Sequence, residues 1–577
     1  MTIKEKIVNE IIQNVVKALK SIGVDDNAPV CEVPPSKEMG NLAFPMFKYA
    51  KDLKKSPNQI AQDVKDKLGE STFISNSEIK GPYLNIFYDT KTIALKLLPT
   101  ILEKNENFGR QDKKNERMIV EFSCPNTNKP LHLGHCRNNA LGDSIARILK
   151  FAGYDVIKLN LINDRGIHIC KSMLAYKKFG NNTSPEKEDK KSDHLVGDFY
   201  VKFAKEADKD KSLETEAQNM LQLWEKGDAE TIELWKLMNK WAIDGIKETY
   251  ERMGIEFDEF EYESINYLYG KDIVNEGLEK GVFYKEADNS IWINNESEGL
   301  DKKVVLRADG TSVYITQDLG TAAKRHEKHN FNDMVYVVGS EQEYHFKTLF
   351  LTLKKLGFKW ADNCKHLSYG MVNLPEGKMK SREGTVVDAD NLMDLLYDMS
   401  SSVIEKKNRD LSDEEKKEIA NKISLAALKY YLLNFSPTKD IMFIPEKSIS
   451  FDGNTGPYIQ YTTARLNSLF SKNTNEITYD NDFIDNYKLN DDEENVILQL
   501  LDFEDSITRA CENLSPYEIC NVLYNTARLY NKFYHDNQVL KANDKSLINL
   551  RLILSDAVKI VLNNGLTLLG VEPLEKM

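Results

Sequence analysis

Met118-Ile119-Val120-Glu121-Phe122 is a short apolar stretch with β-branched residues, and this composition predicts a buried β-strand. The loop 125–135 follows it and leads into a helix whose apolar residues recur at helical spacing from Leu141 to Leu149. Residues 156–162 form the next predicted strand. The order strand, loop, helix, strand is typical of a parallel βαβ unit, whose ligands bind at the carboxyl ends of the strands.

The rest of the chain divides around this unit. Residues 1–110 combine an amphipathic helix with a predicted strand, which indicates an α+β domain. Residues 111–450 hold the βαβ unit, further strand-like segments and a polar insert at about 180–300. From about 410 onward the apolar pattern is almost continuously helical, and residues 451–577 are predicted to form the C-terminal domain. We therefore predict a multidomain α/β protein, in which a Rossmann-type parallel-sheet domain lies between an α+β N-terminal domain and an all-α C-terminal bundle.

Composition excludes several classes of protein. Hydrophobic residues at 41% and charged residues at 29% exclude a disordered chain, and no apolar run is long enough to span a bilayer. The 7 cysteines are scattered without a C-x-x-C pair, so we expect neither a zinc knuckle nor a disulfide framework, and a cytoplasmic location suits them. Because the net charge is -13, any RNA-binding surface must be local.

Two histidines, His132 and His135, lie where the first strand gives way to the helix, with Gly134 between them and Lys129-Pro130 before them. A helix N-terminus attracts phosphate, Gly134 lets a flat base approach the backbone, and imidazoles can donate to phosphoryl oxygens. The pattern therefore favours a nucleotide site. Two alternatives stay open, namely structural histidines and a metal pair, although a third metal ligand is missing and we predict no metal site.

A second basic motif, Gly377-Lys378-Met379-Lys380-Ser381-Arg382-Glu383-Gly384, has three cations between glycines, and such a loop can close over a triphosphate. Standing alone, it would be interpreted as a solvated basic loop.

Together the two motifs resemble the signatures of class I aminoacyl-tRNA synthetases, His-Ile-Gly-His and Lys-Met-Ser-Lys-Ser, with Leu133 replacing isoleucine. In the second motif Ser381 stands where the catalytic lysine is usual, and Lys380 is displaced by one. Some arginyl-tRNA synthetases look like this, and a lysine just ahead of the first signature supplies the missing charge. The resemblance thus implies two sets of residues: catalytic His132, His135, Lys129, Lys378 and Lys380, and ATP-binding Pro130, Gly134, His132, His135, Met379 and Ser381.

A pocket selective for arginine needs fixed carboxylates and neutral acceptors, because a guanidinium is planar, permanently charged and rich in donors. Glu121 and Asn126 match the arginine-contacting positions of arginyl-tRNA synthetases, and Gln342 matches a substrate-contacting glutamine. The segment Tyr314 to Asp318 resembles the one whose tyrosine and aspartate flank the guanidinium. Two alternatives remain, since Asp318 could cap the following helix and Glu121 could be an ordinary exposed acid at a strand end.

Two further segments are given no catalytic role. Asn163-Asp164-Arg165-Gly166 looks like the family's Asn-Asp-Trp-Gly turn, with Arg165 replacing tryptophan, and we expect a tight turn there. The charge run 187–193 in the insert is interpreted as a solvated face.

Both ends of the chain resemble the tRNA-binding domains of arginyl-tRNA synthetases. Residues 451–465 resemble the entry to the anticodon-binding bundle, and residues 81–85 resemble the part of the N-terminal domain that reads the tRNA elbow. The resemblance implies these tRNA-binding residues: Tyr83, Asn85, Tyr458, Gln460, Tyr461 and Arg465. Such side chains suit RNA through stacking and edge contacts, whereas bundle core and a plain hairpin strand are the alternatives.

The resemblance covers nearly the whole chain and implies an arginine–tRNA ligase. Such an enzyme activates L-arginine with ATP to arginyl-adenylate and transfers the arginyl group to the 3′-terminal adenosine of tRNA-Arg, with release of AMP and diphosphate. We expect ATP to enter with Mg²⁺ as a substrate complex, no tightly bound cofactor, no membrane partner and a monomeric enzyme.

Three alternatives remain at this point. A cysteine-specific synthetase on the same scaffold is disfavoured by the lack of a zinc-ligand cysteine set. A catalytically inactive tRNA-binding relative is kept open by the altered second signature. A nucleotide-binding protein of another kind explains the histidines but leaves the acidic set unaccounted for.

Overall fold

The computed structural model of the protein describes residues 1–375, 387–407, 411–474, 476–478, 481–542 and 544–577. The second signature, with Lys378, Met379, Lys380 and Ser381, lies outside the described residues.

The N-terminal region packs helices against a small antiparallel sheet with the strand order β1-β3-β2. Thr2 and Glu5 form a capping box at the first helix, whose predicted amphipathic pattern is confirmed by its buried apolar face. The elements are α1 (Ile3–Ser21), β1 (Leu42–Pro45), α2 (Ala50–Leu53), α3 (Pro57–Asp66), β2 (Ile74–Lys80), β3 (Tyr83–Tyr88) and α4 (Thr90–Lys104).

The central region carries the predicted parallel sheet. Its elements are β4 (Arg117–Glu121), α5 (Leu133–Phe151), β5 (Asp155–Ile162), α6 (Ile167–Phe179), α7 (Pro185–Glu188), α8 (Ser192–Lys209), α9 (Ser212–Glu225), α10 (Ala229–Met253), β6 (Glu259–Tyr262), α11 (Glu263–Asn266), α12 (Gly270–Glu279), β7 (Phe283–Lys285), β8 (Ile291–Ile293), β9 (Lys303–Leu306), α13 (Tyr314–His329), β10 (Asp333–Gly339), α14 (Glu343–Lys355), β11 (Cys364–Tyr369) and β12 (Val372–Asn373).

The main sheet has the order β11-β10-β4-β5-β6. Its neighbouring strands all pair in parallel, which confirms the predicted fold class, and Met118 is in register with both Asp333 and Val156. One difference concerns the polar insert, because β6 falls inside 180–300 and adds a fifth strand to this sheet. The short alternation of acids and aromatics in β6 explains why composition alone hid this strand.

The C-terminal region is helical, as predicted. Its elements are α15 (Ala389–Lys407), α16 (Asp413–Leu433), β13 (Ile441–Met442), α17 (Pro445–Ser448), α18 (Gly456–Ser471), α19 (Asn481–Asn486), α20 (Asp491–Leu501), α21 (Phe503–Glu512), α22 (Tyr517–Asp536) and α23 (Lys545–Leu568). Among the described residues, no helix combines the length and apolar composition that a membrane crossing requires.

The three regions share one hydrophobic core, and polar contacts join them at its rim. Helix α23 packs against both α4 and α5, and the Ser144 hydroxyl donates to the Leu568 carbonyl at 2.9 Å. At the opposite end of the bundle, the Lys4 ammonium lies 2.7 Å from the Asp502 carboxylate. The C-terminal bundle therefore contacts both the N-terminal region and the central helix α5.

Candidate active site

The candidate site lies at the carboxyl edge of the main sheet. The strand β4 ends at Glu121, β5 at Ile162, β6 at Tyr262 and β10 at Gly339. Because the strands are parallel, the residues that follow these four ends lie along one edge, where ligands of open α/β sheets bind.

The turn after β4 is backbone-strained. Ser123 and Cys124 both have positive φ values, 72° and 46°, which non-glycine residues rarely adopt. The Ser123 hydroxyl lies 2.6 Å from the Tyr250 hydroxyl, and the Cys124 N–H donates to Asn160 Oδ1 at 3.2 Å. These contacts hold a sharp turn that directs the loop 125–135 across the sheet edge.

The first signature forms the N-terminus of α5, as the sequence predicts. His132 is the N-cap residue, and its Nδ1 accepts from the Gly134 N–H at 3.1 Å. His135 Nδ1 accepts from the His132 N–H, also at 3.1 Å, and the two rings lie 4.0 Å apart. A Cβ on residue 134 would lie 3.0 Å from His132 Cε1, so a larger residue would force the His132 ring to shift.

Both histidines are neutral at neutral pH. Burial, and then the charge of Lys129, lowers the pKa of His132 to about 4, and burial lowers the pKa of His135 well below its ordinary value. Because each Nδ1 accepts a hydrogen bond, the single ring proton is assigned to Nε2. Each imidazole therefore has an N–H left to donate to a ligand. Their satisfied Nδ1 atoms fit the structural alternative, whereas the Nε2–H groups, which have no hydrogen-bond acceptor among the described residues, are available to a ligand.

Lys129 is half-buried, and within the described residues no carboxylate pairs with its ammonium group. Burial lowers its pKa. Together with His132 it lines a cavity of about 820 Å³, whose other wall is the insert helix α8 with Tyr200 and Lys205. An unpaired cation beside two N–H donors makes this end of the site suited to an anion.

The chain on both sides of the second signature is tied to the first. On either side of it in the sequence, the buried Arg137 guanidinium of α5 donates to the Gly370 carbonyl at 2.5 Å and to the Lys439 carbonyl at 2.8 Å. After it, the Leu133 N–H donates to the Val387 carbonyl at 3.1 Å. The described residues that flank the two signatures are thus brought together.

Glu121 is not an ordinary exposed acid at a strand end, so that alternative is wrong. It is buried, and its carboxylate forms an ion pair with the Arg325 guanidinium of α13. Arg325 Nη2 also lies 2.8 Å from Glu261 Oε2, and its Nε donates to the same oxygen at 3.0 Å. The chain's own Arg325 guanidinium thus binds both Glu121, a predicted arginine-contacting residue, and Glu261.

The other arginine-set residues lie nearer the surface. Tyr314 and Asp318 are one turn apart on α13, and Tyr314 is 78% exposed. Asp318 does not cap the helix, because the N-cap residue is Val313; its Oδ2 instead lies 2.6 Å from His345 Nε2. Gln342 is exposed at the end of the turn after β10.

Asn126 is exposed in the loop between β4 and α5, and its backbone forms an isolated parallel bridge with Asn163. The loop is therefore held against the end of β5, and Asn126 follows directly on the strained turn that β4 leads into.

Two carboxylates of the site were missed from the sequence, Glu261 at the end of β6 and Glu263 just after it. Burial raises the pKa of Glu263 to about 7, with Arg165 opposing and Asp164 and Asp318 adding to the rise. In the described part of the chain, the Glu263 carboxylate accepts no hydrogen bond. The alternation Glu259-Phe260-Glu261-Tyr262-Glu263 was the available signal, since it is typical of a strand with one acidic face.

The turn after β5 has a structural role, as expected. The Asp164 carboxylate accepts from the Ser264 N–H at 2.8 Å and from its hydroxyl at 2.7 Å, which fixes the start of α11 beside Glu263. Arg165 lies over the Tyr267 ring at 4.0 Å and pairs with Glu225 at 3.1 Å. The turn therefore positions the segment that carries Glu263.

The C-terminal bundle exposes an aromatic surface on α18 and α22. The Arg465 guanidinium lies 4.8 Å from the Tyr461 ring centroid and 5.4 Å from that of Tyr534. The half-buried Tyr458 hydroxyl accepts from Asn531 at 3.0 Å. Gln460 lies inside the bundle, where its amide donates to the Glu572 carbonyl at 2.7 Å.

In the N-terminal sheet, Tyr83 is half-buried and its ring packs edge-on against the exposed Phe47 ring at 5.6 Å. Asn85 occupies the middle of β3, between β1 and β2, and is only 3% exposed. The structure thus leaves the two aromatic rings near the surface and places Asn85 within the sheet.

Family comparisons divide the chain in the same order. The sequence model described as tRNA synthetases class I (R), catalytic domain, matches residues 97–444. The arginyl tRNA synthetase N terminal domain matches residues 6–88, and the DALR anticodon binding domain matches residues 459–577.

Known proteins are similar over nearly the full length. The chain is 49% identical to the arginine–tRNA ligase of Treponema denticola, over 95% of this chain and 94% of that protein. It is 44% identical to the arginine–tRNA ligase of Borrelia hermsii, over 99% of each. Among solved structures, Thermus thermophilus arginyl-tRNA synthetase aligns with a TM-score of 0.82 and 26% identity, covering 98% of this chain and 99% of that one.

Proposed function

The chain belongs to the arginyl-tRNA synthetase family of class I ligases, and on that premise we propose that its sheet-edge site activates L-arginine with ATP and transfers it to tRNA-Arg. The products are arginyl-tRNA, AMP and diphosphate.

The observation that carries this proposal is the excess of carboxylates beside the neutral histidine pair. Glu121 and Glu261 share the buried Arg325 guanidinium, Asp318 contacts His345, and Glu263 interacts electrostatically with Asp318 and with the opposing charge of Arg165. Among the described residues neither Glu263 nor Asp318 forms an ion pair with a lysine or an arginine, so the pocket favours a cationic ligand. A substrate guanidinium with its fixed fork of donors fits such a set.

In the first step, the arginine carboxylate attacks the α-phosphate of ATP. The Nε2–H groups of His132 and His135 donate to the oxygens on which charge develops, and Lys129 neutralises the departing diphosphate. Because none of these groups forms a covalent bond, positioning and electrostatic stabilisation supply the rate. Asn126, Tyr314 and Gln342 orient the amino acid, while Pro130 and Gly134 line the nucleotide side. Lys378, Met379, Lys380 and Ser381 complete the phosphate site in this proposal.

In the second step, the 2′-hydroxyl of the terminal adenosine of tRNA takes the arginyl group. The presence of tRNA is required for activation as well as for transfer. In the proposed complex, Tyr461 and Arg465 present stacking surfaces to anticodon bases, with Tyr458 beside them, and Tyr83 faces the elbow. Gln460 and Asn85 are buried, so in the proposed complex they contribute to tRNA binding only indirectly, by holding the backbones of α18 and β3 in place.

ATP binds as its Mg²⁺ complex, so the metal enters with the substrate and the enzyme holds no tightly bound cofactor. We propose a monomeric cytoplasmic enzyme with tRNA-Arg, L-arginine and ATP as its ligands and no membrane partner. The domains in this proposal are residues 1–110 for the tRNA elbow, 111–450 for catalysis and 451–577 for the anticodon.

A charging assay tests the proposal. The purified chain is incubated with ATP, Mg²⁺ and a tRNA-Arg transcript, with each standard amino acid supplied in turn. Arginyl-tRNA should accumulate with arginine alone. Charging with a different amino acid but not with arginine would overturn the assignment, and tRNA binding without charging by any amino acid would support an inactive relative.

The raised pKa of Glu263 predicts a pH dependence. When the pH falls below its pKa of about 7, the Glu263 carboxyl group becomes neutral and no longer attracts a substrate guanidinium. The charge of the guanidinium itself does not change in this range. The kcat/KM for arginine should therefore fall as the pH drops through about 7, because this ratio reports groups of the free enzyme. Glu263→Gln should abolish this step in the pH profile, whereas Glu276→Gln, on the outer face of α12, should keep it. An unchanged profile in Glu263→Gln would exclude Glu263 as its origin.

The 2.6 Å contact between His345 and Asp318 predicts that His345 orients the carboxylate. His345→Gln keeps an N–H donor at similar reach, so its kcat/KM for arginine should stay near the wild-type value. His345→Phe removes the donor and should lower kcat/KM about 10-fold, mainly through KM, as expected for a hydrogen bond to a charged group. Equal loss in both variants would show that ring packing, rather than the hydrogen bond, matters at this position.

A further inference from the structure

The chain that follows residue 386 is held directly against the first signature. The Leu133 N–H donates to the Val387 carbonyl at 3.1 Å, and the Ala389 N–H donates to the Leu131 carbonyl at 3.0 Å. These bonds form an antiparallel bridge between His132 and Asp388. Any movement of residues 387–389 is therefore transmitted to the backbone of the catalytic histidine.

Helices of the insert contact the same segment through charged side chains. His194 Nε2 lies 3.2 Å from Asp388 Oδ2 and 3.4 Å from Asp390 Oδ2. Lys191 Nζ lies 2.8 Å from Asp390 Oδ2, and Arg252 Nη1 lies 3.7 Å from Asp390 Oδ1. Asp388 Oδ1 also accepts the Asp390 N–H at 2.8 Å at the start of α15, so both carboxylates sit where a helix dipole favours negative charge.

This network is built into the interior. Asp193 and Thr249 are fully buried, and Lys191 Nζ donates to the Thr249 hydroxyl at 2.6 Å. A Cβ on Gly245 of α10 would lie 2.4 Å from Asp193 Oδ1. The lack of a side chain at this position therefore allows α8 and α10 to pack closely around the Asp193 carboxylate. The predicted solvated face is therefore wrong for Lys191 and Asp193, because their charges are met by partners from α10 and α15.

A metal ion is a poor alternative for this cluster, although Asp193, His194 and Asp390 place their ligand atoms close enough to share one. The Lys191 ammonium already lies 3.2 Å from the Asp193 carboxylate and 2.8 Å from that of Asp390. The contact with Asp388, and then that with Asp390, raises the pKa of His194 to about 10, so its ring is a cation at neutral pH. A protonated imidazole does not bind a metal.

On the premise of the proposed function, we propose that His194 and Lys191 are positioning residues for arginine activation, which hold residues 387–390 against the first signature and so fix His132 and Lys129. In this proposal they act through Asp388 and Asp390, and His194 also lines the cavity that Lys129 and His132 line. The insert thus has a role in the ATP-dependent step, through the segment that directly follows the second signature.

The test compares His194→Ala, His194→Gln and Lys191→Met with the wild type and with Lys209→Ala. Lys209 is a matched control because it ends the same helix, loses only an exposed pair with Glu206, and does not contact α15. The measurements are kcat and KM for arginine and ATP, the Kd for tRNA, and the melting temperature. The proposal predicts that kcat falls about 10- to 100-fold in His194→Ala and Lys191→Met, as small misplacements of catalytic groups do.

The KM for arginine and the Kd for tRNA should not change, because the arginine carboxylates lie on other elements. His194→Gln, which keeps a donor, should recover part of kcat. The double variant His194→Ala/Asp388→Asn should be no slower than His194→Ala, since both changes remove one contact.

The inference is overturned if kcat is unchanged in His194→Ala and Lys191→Met, or if kcat falls only in step with a lower melting temperature. It is also overturned if the losses of kcat caused by His194→Ala and by Asp388→Asn multiply in the double variant. A wild-type protein that fails to charge arginine would instead contradict the proposed function, so the two failures are distinguishable.

Discussion

Replacing Lys129 by alanine should lower the rate of arginyl-adenylate formation by about 100- to 1,000-fold, the loss typical of one electrostatic contact to a transition state. Three observations support this expectation. Lys129 is half-buried without a carboxylate partner among the described residues, it lines the same cavity as His132, and Ser381 stands where the class places its catalytic lysine. On the proposed function, Lys129 of the first signature supplies the charge that the second signature lacks.

The measurement for Lys129→Ala is single-turnover adenylate formation, with the Kd for tRNA determined alongside. Binding of tRNA should be retained, because Lys129 lies on the loop to α5 and the proposed RNA surfaces lie on the terminal domains. Lys129→Arg should recover part of the rate by restoring the charge. Lys150→Ala is the control, since Lys150 is exposed near the far end of α5. An unchanged rate in Lys129→Ala would refute the compensating role.

Replacing Asp318 by asparagine should lower kcat/KM for arginine by about 30-fold or more, since truncating one partner of a close charge pair costs about 2–5 kcal/mol. The carboxylate is oriented by His345 and half-exposed, so in the proposed complex it is the member of the acidic set most accessible to a substrate guanidinium. Glu121 and Glu261, in contrast, are already bound by Arg325. The loss should appear mainly in KM.

Citrulline, the neutral analogue of arginine, separates charge recognition from shape in this experiment. The wild type should strongly prefer arginine to citrulline in adenylate formation, and Asp318→Asn should reduce that preference. Asp309→Asn is the control, because Asp309 lies in the exposed turn before α13 and bonds only to neighbouring residues. If Asp318→Asn discriminates as well as the wild type, another carboxylate recognises the guanidinium.

Local patterns were enough to predict the frame of the site. The β4 and β5 strands and the helix α5 follow from apolar spacing over a few residues, and the N-terminal position of His132 follows from its place between a strand and a helix. The tautomers of the two histidines could not be predicted, since they depend on which backbone N–H each Nδ1 accepts.

Contacts between residues that are distant in the sequence could not be predicted from the sequence alone. Nothing near Glu121 indicates that Arg325, on another helix, binds its carboxylate, and nothing near Asp318 indicates His345. The burial of Asn85 and Gln460 could not be predicted from the sequence either. A polar side chain can point inward when a distant backbone carbonyl accepts its hydrogen bond, as for Gln460, or when strands flank it on both sides, as for Asn85. The role of Lys191 and His194 depends on the packing of three helices, which a charge run does not reveal.

The most direct test of the central claim is amino-acid-dependent exchange between pyrophosphate and ATP, measured for each standard amino acid with and without tRNA-Arg. We expect efficient exchange with arginine in the presence of tRNA, little exchange with arginine in its absence, and none with the other amino acids. Efficient exchange with a different amino acid, and none with arginine under either condition, would contradict the assignment of the acidic pocket to a substrate guanidinium.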